Sequence, residues 1–121
     1  MKIAVTSNGK DLSADVDPRF GRATYFLIID PDTMDYKTVE NTQNMNLPQG
    51  AGIQAGKTII ENQVDVLLTG NCGPKAFKVL EAAGVKVIVD VKGSVQDVIN
   101  QFKNGDLDSY AQTPNVEGHW I

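Results

Sequence analysis

Short apolar runs separated by polar turns dominate the first forty or so residues of the chain. Residues 2–6 have the pattern of a short buried strand, and residues 24–30 are rich in aromatic and β-branched side chains, which favours a second strand. Turn residues at 31–35 and an alternating stretch at 36–41 predict a return strand and hence a β-hairpin. Residues 7–23 form a loop of a length that is uncommon in a small domain and is often functional.

Helical and strand patterns alternate after a second polar loop at 43–50. Two helices are predicted at Gly52–Asn62 and at Pro74–Ala83, the second with Gly84 as its C-cap. A third helix begins at a capping box, Ser94–Asp97, and ends at Gly105. The predicted buried strands are Val64–Thr69 and Val85–Val89. Such alternation gives parallel strands with right-handed crossovers. Together with the hairpin, it predicts an α/β fold: a single-domain five-stranded mixed sheet flanked by helices. Ligands of such sheets collect where loops leave the carboxyl ends of parallel strands.

Composition then removes several classes of function. The 121 residues carry a net charge of -4 and hold one cysteine and one histidine, which excludes an intrachain disulfide, an ordinary zinc site and a four-cysteine iron–sulfur cluster. The acidic balance argues against nucleic-acid binding, and the longest apolar run is too short to cross a bilayer. The start of the chain has no signal-peptide layout, so a cytoplasmic protein is expected.

The turn Gly70-Asn71-Cys72-Gly73-Pro74 lies between a predicted buried strand and a helix. Pro74 suits the first helical position, and the N–H groups of the helix start would face an anion. Cys72 lies at the same helix start, where the helix dipole would favour the thiolate over the thiol. The alternative is a tight turn that holds a small, partly buried cysteine. Both interpretations stay open at this point.

A second helix start, Gly50-Ala51-Gly52, can also present backbone N–H groups to an anion. It is not a P-loop, because no Gly-Lys-Ser/Thr sequence follows it, and it is not a dinucleotide fingerprint, because a long polar loop separates it from the preceding strand. The alternative for this segment is close packing at the beginning of the helix.

Two arginines at the end of the first long loop are fixed cations in an acidic chain. The guanidinium groups of Arg19 and Arg22 present several donors in a plane, which suits oxyanions or sulfide-rich anions. The alternative is ion pairing with nearby acids such as Asp15 or Asp17. The single histidine, His119, lies in a predicted extended tail, and no carboxylate pair has a spacing suited to acid–base catalysis.

Four blocks in this order resemble the dinitrogenase iron–molybdenum cofactor biosynthesis family, in particular its small stand-alone members of the orange protein group. The blocks are Met1–Val5, Asp17–Ala23 followed by Tyr25-Phe26, Gly50–Gln54, and Gly70–Phe77. The resemblance covers about residues 1–108 as one domain and leaves 109–121 as a C-terminal tail. It implies a ribonuclease H-like motif, without the acidic metal-binding cluster that nuclease activity needs.

The resemblance implies a non-enzymatic protein that binds, stores or transfers a preformed metal–sulfur cluster, of the molybdenum–iron or molybdenum–copper sulfide type, as an accessory to cofactor biosynthesis. Its partners would be the anionic cluster and the proteins that donate or accept it. The implied cluster-binding residues are Arg19, Arg22, Gly50, Ala51, Gly52, Asn71, Cys72, Gly73 and Pro74, with Cys72 as a candidate metal contact and His119 as a weaker one. The main alternative is a regulatory interaction module without stable metal binding, and a hydrolase is the least favoured.

Overall fold

One sheet and three helices make up the part of the chain that the computed structural model describes, residues 1–41 and 50–116. The strands are β1 (Ile3–Ser7), β2 (Tyr25–Ile29), β3 (Tyr36–Glu40), β4 (Val66–Leu68) and β5 (Lys86–Ile88), and the helices are α1 (Ala51–Glu61), α2 (Pro74–Ala82) and α3 (Val95–Lys103). Each predicted element is present, and the ends differ by one or two residues. Most of the predicted loop at 43–50 lies outside the described residues.

The strands lie in the order β3-β2-β1-β4-β5, so β1 is the middle strand of a five-stranded sheet. Strands β1, β2 and β3 pair antiparallel, as expected for a hairpin, whereas β4 pairs parallel with both β1 and β5. The predicted mixed α/β sheet is therefore confirmed. The carboxyl ends of β1 and β4 lie side by side, and the loops that follow them begin at the same edge of the sheet.

Alternate residues of the central strands point to opposite faces of the sheet, and each face is covered by helices. On one face, Ala4 and Leu67 pack in a core that includes Ile59 of α1 and Leu80 of α2. On the other face, Ile3, Val5 and Leu68 pack with residues of α3. All five residues of β1 are buried, since the middle strand is covered on both sides.

Helix α3 begins as the sequence predicts. The hydroxyl of Ser94 accepts a hydrogen bond from the N–H of Asp97 at 3.1 Å, and Asp97 places a carboxylate in the first turn. These two features satisfy a terminal donor and complement the positive end of the helix. The long loop after β1 supports the same start, because Val95 and Gln96 donate to the carbonyls of Ala14 and Leu12.

Candidate functional site

The long loop after β1 pairs directly with the turn after β4. The N–H of Asn71 donates to the carbonyl of Pro18 at 2.7 Å, and the N–H of Phe20 donates to the carbonyl of Asn71 at 3.1 Å. The Phe20 side chain is fully buried, with its ring 5.6 Å from that of Phe26. An apolar anchor and two backbone bonds therefore hold the two loops together.

Two glycines allow this close approach of backbones. A Cβ atom on Gly70 would lie 2.7 Å from Cα and 2.8 Å from the carbonyl oxygen of Pro18. A Cβ atom on Gly21 would lie 2.8 Å from the backbone nitrogen of Gly52, at the start of α1. Three segments thus meet at the carboxyl ends of β1 and β4, and we refer to residues 17–22, 50–52 and 70–74 together as the loop cluster. These are the segments that the sequence analysis singled out separately.

A buried polar network lies beneath the loop cluster. The hydroxyl of Thr6 donates to the carbonyl of Asp17 at 2.7 Å and lies 2.9 Å from the hydroxyl of Thr69, while the N–H of Asp17 donates to the carbonyl of Thr6. All three residues are buried. Sequence reasoning missed this pair of threonines, although a polar residue at the end of each of two neighbouring apolar strands was a usable signal.

Asn41, directly after β3, fixes the far side of the first loop. Its side-chain amide donates to the carbonyls of Gly21 and Ala23 at 3.1 and 2.8 Å, and the residue is fully buried. A buried amide that satisfies two loop carbonyls restrains the backbone that carries Arg22. The sequence carried no signal for this role, because asparagine after a strand is ordinary turn chemistry.

Arg19 is both ion-paired and accessible. Its Nε lies 3.7 Å from Oδ1 of Asp17, and the same oxygen accepts the backbone N–H of Arg19 at 3.0 Å. The predicted alternative of ion pairing with Asp17 is therefore confirmed for Arg19. The Arg19 side chain is nevertheless 51% exposed, whereas that of Asp17 is 7% exposed, so the guanidinium can also contact a ligand. Arg22 is half-buried and takes part in an interaction of its own.

The starts of α1 and α2 differ from that of α3. Helix α1 follows Gly50 and helix α2 follows Gly73, and within the described residues neither N-cap forms a side-chain cap bond or is followed by an acid in the first turn. Pro74 occupies the first turn of α2, as predicted. Terminal N–H groups and an uncompensated positive helix end are the features that favour an anion.

The expectation of a thiolate at Cys72 is wrong. The side chain is fully buried and belongs to the apolar core that also contains Phe20 and Ala76. Burial raises the pKa of the Cys72 thiol from its ordinary value of 9.0 to about 12, because a thiolate would lose its hydration there. Desolvation outweighs the dipole of α2 at this position, and the thiol is protonated at neutral pH. The alternative of a buried cysteine in a tight turn is the better description.

An asparagine from beyond the last helix completes the turn. Oδ1 of Asn115 accepts the N–H of Cys72 at 2.8 Å, and its Nδ2 donates to the carbonyl of Gly70 at 3.0 Å and to Oδ1 of Asn71 at 3.1 Å. Sequence reasoning missed this contact, since nothing in the local pattern pairs residues more than forty positions apart. His119 lies outside the described residues.

The described residues contain neither a cluster of metal ligands nor a membrane-spanning helix. Across residues 1–41 and 50–116, no three His, Cys, Asp or Glu side chains come together in a way that could hold a metal ion. None of the helices in these same ranges has the length and apolar character needed to cross a bilayer. The groups that the loop cluster offers to a ligand are backbone amides and the guanidinium of Arg19.

The fold and the loop cluster define a small α/β protein with an anion-suited site at the carboxyl edge of its parallel strands. The chain belongs to the dinitrogenase iron–molybdenum cofactor family, whose sequence model matches residues 1–105. The resemblance carried by the four sequence blocks is therefore confirmed. The orange protein and the proteins of this family are accessory or binding proteins.

Individual relatives are similar along most of their length. The apo form of the orange protein from Desulfovibrio gigas is 43% identical with a TM-score of 0.91, over 95% of this chain and 96% of that chain. A NifB-like protein from Thermotoga is 39% identical with a TM-score of 0.77, over 89% and 91% of the two chains. An uncharacterized protein of Methanocaldococcus jannaschii is 30% identical over 112 residues, 91% of this chain and 92% of that protein.

Proposed function

We propose that this protein binds a preformed, anionic metal–sulfur cluster in the loop cluster and passes it to another protein without catalysing a reaction. The observation that carries the proposal is the meeting of three loops in one place, which brings together two helix starts and the loop that carries the half-exposed Arg19. Membership of a family named for the iron–molybdenum cofactor supports a cluster that contains molybdenum and iron, and the resemblance to the orange protein group adds molybdenum with copper as the other form.

The chemistry of such a cargo matches what the loop cluster provides. A thiomolybdate-type cluster already carries sulfide ligands, so a protein has to supply N–H donors, positive potential and a shaped surface rather than a full set of metal ligands. Arg19 is half-exposed, and the starts of α1 and α2 have no first-turn acid in the described part of the chain to repel an anion. These features give a local positive region in a chain whose net charge is -4.

Cys72 has a different role in this proposal from that of a metal-binding thiolate. Its thiol is buried beneath the turn and protonated, so it shapes the floor of the loop cluster from below. The cluster would be held by the backbone N–H groups of the segment 50–52 and of Gly73 and Lys75, and by guanidinium groups, with that of Arg19 accessible and that of Arg22 half-buried. We expect the cytoplasm as the compartment, and cluster donor and acceptor proteins as partners.

Gel filtration tests the proposal directly. Apo-protein is mixed with tetrathiomolybdate and copper(I), or with isolated iron–molybdenum cofactor, and separated from free ligand without air. We expect visible charge-transfer bands and molybdenum to co-elute with the protein. Failure of both cofactor types to co-elute would overturn the proposal and favour the regulatory interaction module.

The contribution of Arg19 is tested by a matched pair of variants. Arg19→Ala removes a half-exposed cation from the loop cluster, and we expect about tenfold weaker retention of tetrathiomolybdate with copper(I), since charge-assisted contacts are the stronger class of hydrogen bond. Lys86→Ala removes an exposed cation at the amino end of β5, the opposite end of the parallel strands, and should retain the ligand as the parent protein does. Equal losses in both variants would mean that only net charge matters.

A further inference from the structure

After α3 the chain runs along the outer edge of β5 and returns to the loop cluster. Residues 107–116 contain no helix or strand, and this segment is called the strap below. The N–H of Ala111 donates to the carbonyl of Val87 at 2.7 Å, which aligns the strap with the outer edge of β5. Leu107 and Ala111 pack against the two cores, so the strap is anchored before it reaches the turn at 70–74.

Near its end the strap contacts the backbone N–H group of Cys72, next to the start of α2. Cys72 directly precedes Gly73, the N-cap of α2, and its N–H points to Oδ1 of Asn115 at 2.8 Å. The same side chain donates to the carbonyl of Gly70 and to Oδ1 of Asn71. One neutral amide group thus satisfies a donor and two acceptors of the turn; an anionic ligand would replace it at the donor, and the two acceptor oxygens would turn to water.

We propose that Asn115 is an exchangeable internal occupant of the loop cluster, which the anionic ligand displaces from the N–H of Cys72. This inference rests on the proposed function, because it concerns the occupancy of the same site. An N–H group aligned with one acceptor is withdrawn from a second one, and a sulfide that carries negative charge is a stronger acceptor than a neutral amide oxygen. In the apo-protein the strap protects the turn, and ligand binding releases the end of the strap beyond Ala111.

The opposite role for Asn115 is a permanent clip that shapes the turn for the ligand. The two roles predict opposite changes in affinity. Removal of a competitor strengthens ligand binding, whereas removal of a clip loosens the turn and weakens it.

The test uses the full-length chain with Asn115→Ala, and Gln112→Ala as the matched control. The Gln112 side chain donates to the carbonyl of Tyr110 within the strap, so its loss removes an amide of the strap without touching the turn. The dissociation constant for tetrathiomolybdate with copper(I) is measured for each protein. We expect about three- to tenfold tighter binding for Asn115→Ala and no change for Gln112→Ala, from the usual net contribution of a hydrogen bond.

The outcomes separate this inference from the proposed function. Unchanged or weaker binding by Asn115→Ala, with normal binding by the parent protein, overturns the exchange and leaves cluster binding intact. Absence of binding in the parent protein and both variants overturns the proposed function and the exchange with it.

Nuclear magnetic resonance gives a second readout on the parent protein, which does not depend on any variant folding. Without ligand, the Cys72 amide proton should be protected from hydrogen exchange, and the Asn115 side-chain amide should have shifts displaced from those of a free asparagine. With saturating tetrathiomolybdate and copper(I), the Asn115 side-chain resonances should move to free-asparagine values. Resonances that stay in place in the bound state would overturn the exchange.

Discussion

The start of α3 and the starts of α1 and α2 satisfy the same physical requirement in different ways. Helix α3 uses its own residues: the Ser94 hydroxyl caps the first turn and Asp97 supplies a negative charge. Helices α1 and α2 follow glycines, and within the described residues they have neither a side-chain cap bond nor an acid in the first turn. The positive ends of these two helices are left to be satisfied by groups from outside the helix.

Under the proposed function, the difference separates the helix start that serves stability from the two that serve binding. The capped start of α3 lies against the loop that follows β1. Its first N–H groups are satisfied by carbonyls of that loop and by the Ser94 hydroxyl. The uncapped starts of α1 and α2 lie at the loop cluster, where a cap side chain or a first-turn carboxylate would occupy or repel an anionic ligand. The residues missing from these two helix starts are therefore as informative as those present in α3.

The largest expected effect comes from separating the segments of the loop cluster. Gly70→Ala would place a Cβ atom 2.7 Å from Cα of Pro18, and neither backbone can move without breaking the bond between Asn71 and Pro18. We expect a loss of about 2–3 kcal/mol in the free energy of unfolding, measured by urea denaturation, together with loss of ligand retention.

Gly84→Ala is the control for that experiment. Gly84 has φ of +80° at the end of α2, with open space around it, so an alanine there costs about 1 kcal/mol of backbone strain far from the ligand. Ligand retention should be unaffected. A Gly70→Ala variant that is as stable as Gly84→Ala and binds normally would contradict the close docking of the two loops.

The second prediction concerns the thiol buried beside the uncapped start of α2. In the unfolded chain Cys72 ionises near pH 9, whereas in the folded protein burial raises its pKa to about 12. The folded state therefore holds a proton that the unfolded state loses, and stability falls between these two pH values and is unaffected below pH 9. The slope is about 1.4 kcal/mol per pH unit.

Urea denaturation at a series of pH values from 8 to about 11 checks this prediction against Cys72→Ala, which lacks the titrating group. The free energy of unfolding of the parent protein should decrease more steeply than that of the variant. Iodoacetamide should also modify Cys72 slowly in the native protein at pH 8 and rapidly in urea. Parallel pH profiles would show that the thiol has the same pKa in the folded and unfolded states, and fast modification of the native protein would show that the thiol is accessible.

A smaller effect is expected from removing the cap of α3. Ser94→Ala deletes the hydroxyl that accepts the N–H of Asp97, which costs about 1 kcal/mol in the free energy of unfolding. Retention of tetrathiomolybdate with copper(I) should not change, because α3 packs on the face of the sheet opposite α1 and α2. A parallel loss of ligand would show that the two kinds of helix start are not independent.

The smallest change in stability is expected when the first turn of α2 receives an acidic residue, as the first turn of α3 has in Asp97. Lys75→Glu places a carboxylate directly after Pro74 in the first turn of α2, which should stabilise the helix by about 0.3–1 kcal/mol. The same carboxylate should weaken the binding of an anionic ligand. Lys78→Glu makes the same change of charge one turn further along and is the control. Stronger ligand binding by Lys75→Glu would contradict an anion site at this helix start.

Most of the fold was predictable because its signals are local. The strand at 24–30 is a run of aromatic and β-branched residues, the Ser94 box marks the start of α3, and Gly84 marks the end of α2. The sequence blocks also singled out the three segments of the loop cluster. Local patterns indicate which residues belong to a strand, a helix or a turn.

The rest of the site depends on distances through space. The thiolate expectation considered only the position of Cys72 at a helix start, whereas the thiol is buried in a core that includes residues distant in the sequence, such as Phe20, more than fifty positions away. Asn115 gave no signal, because an asparagine in an irregular segment fits any turn. Thr6 and Thr69 were predictable in principle, since parallel neighbours bring the polar ends of two apolar strands together.

The central position of β1 has a consequence for the order in which the protein is completed during synthesis. One edge of β1 pairs with β2, which follows closely in the sequence, but its other edge waits for β4, about sixty residues later. The loop cluster joins residues from both stages, since Pro18 and Phe20 bond to Asn71. A nascent chain that ends before residue 71 therefore lacks the partner of its first loop, and under the proposed function it would not yet form the ligand site.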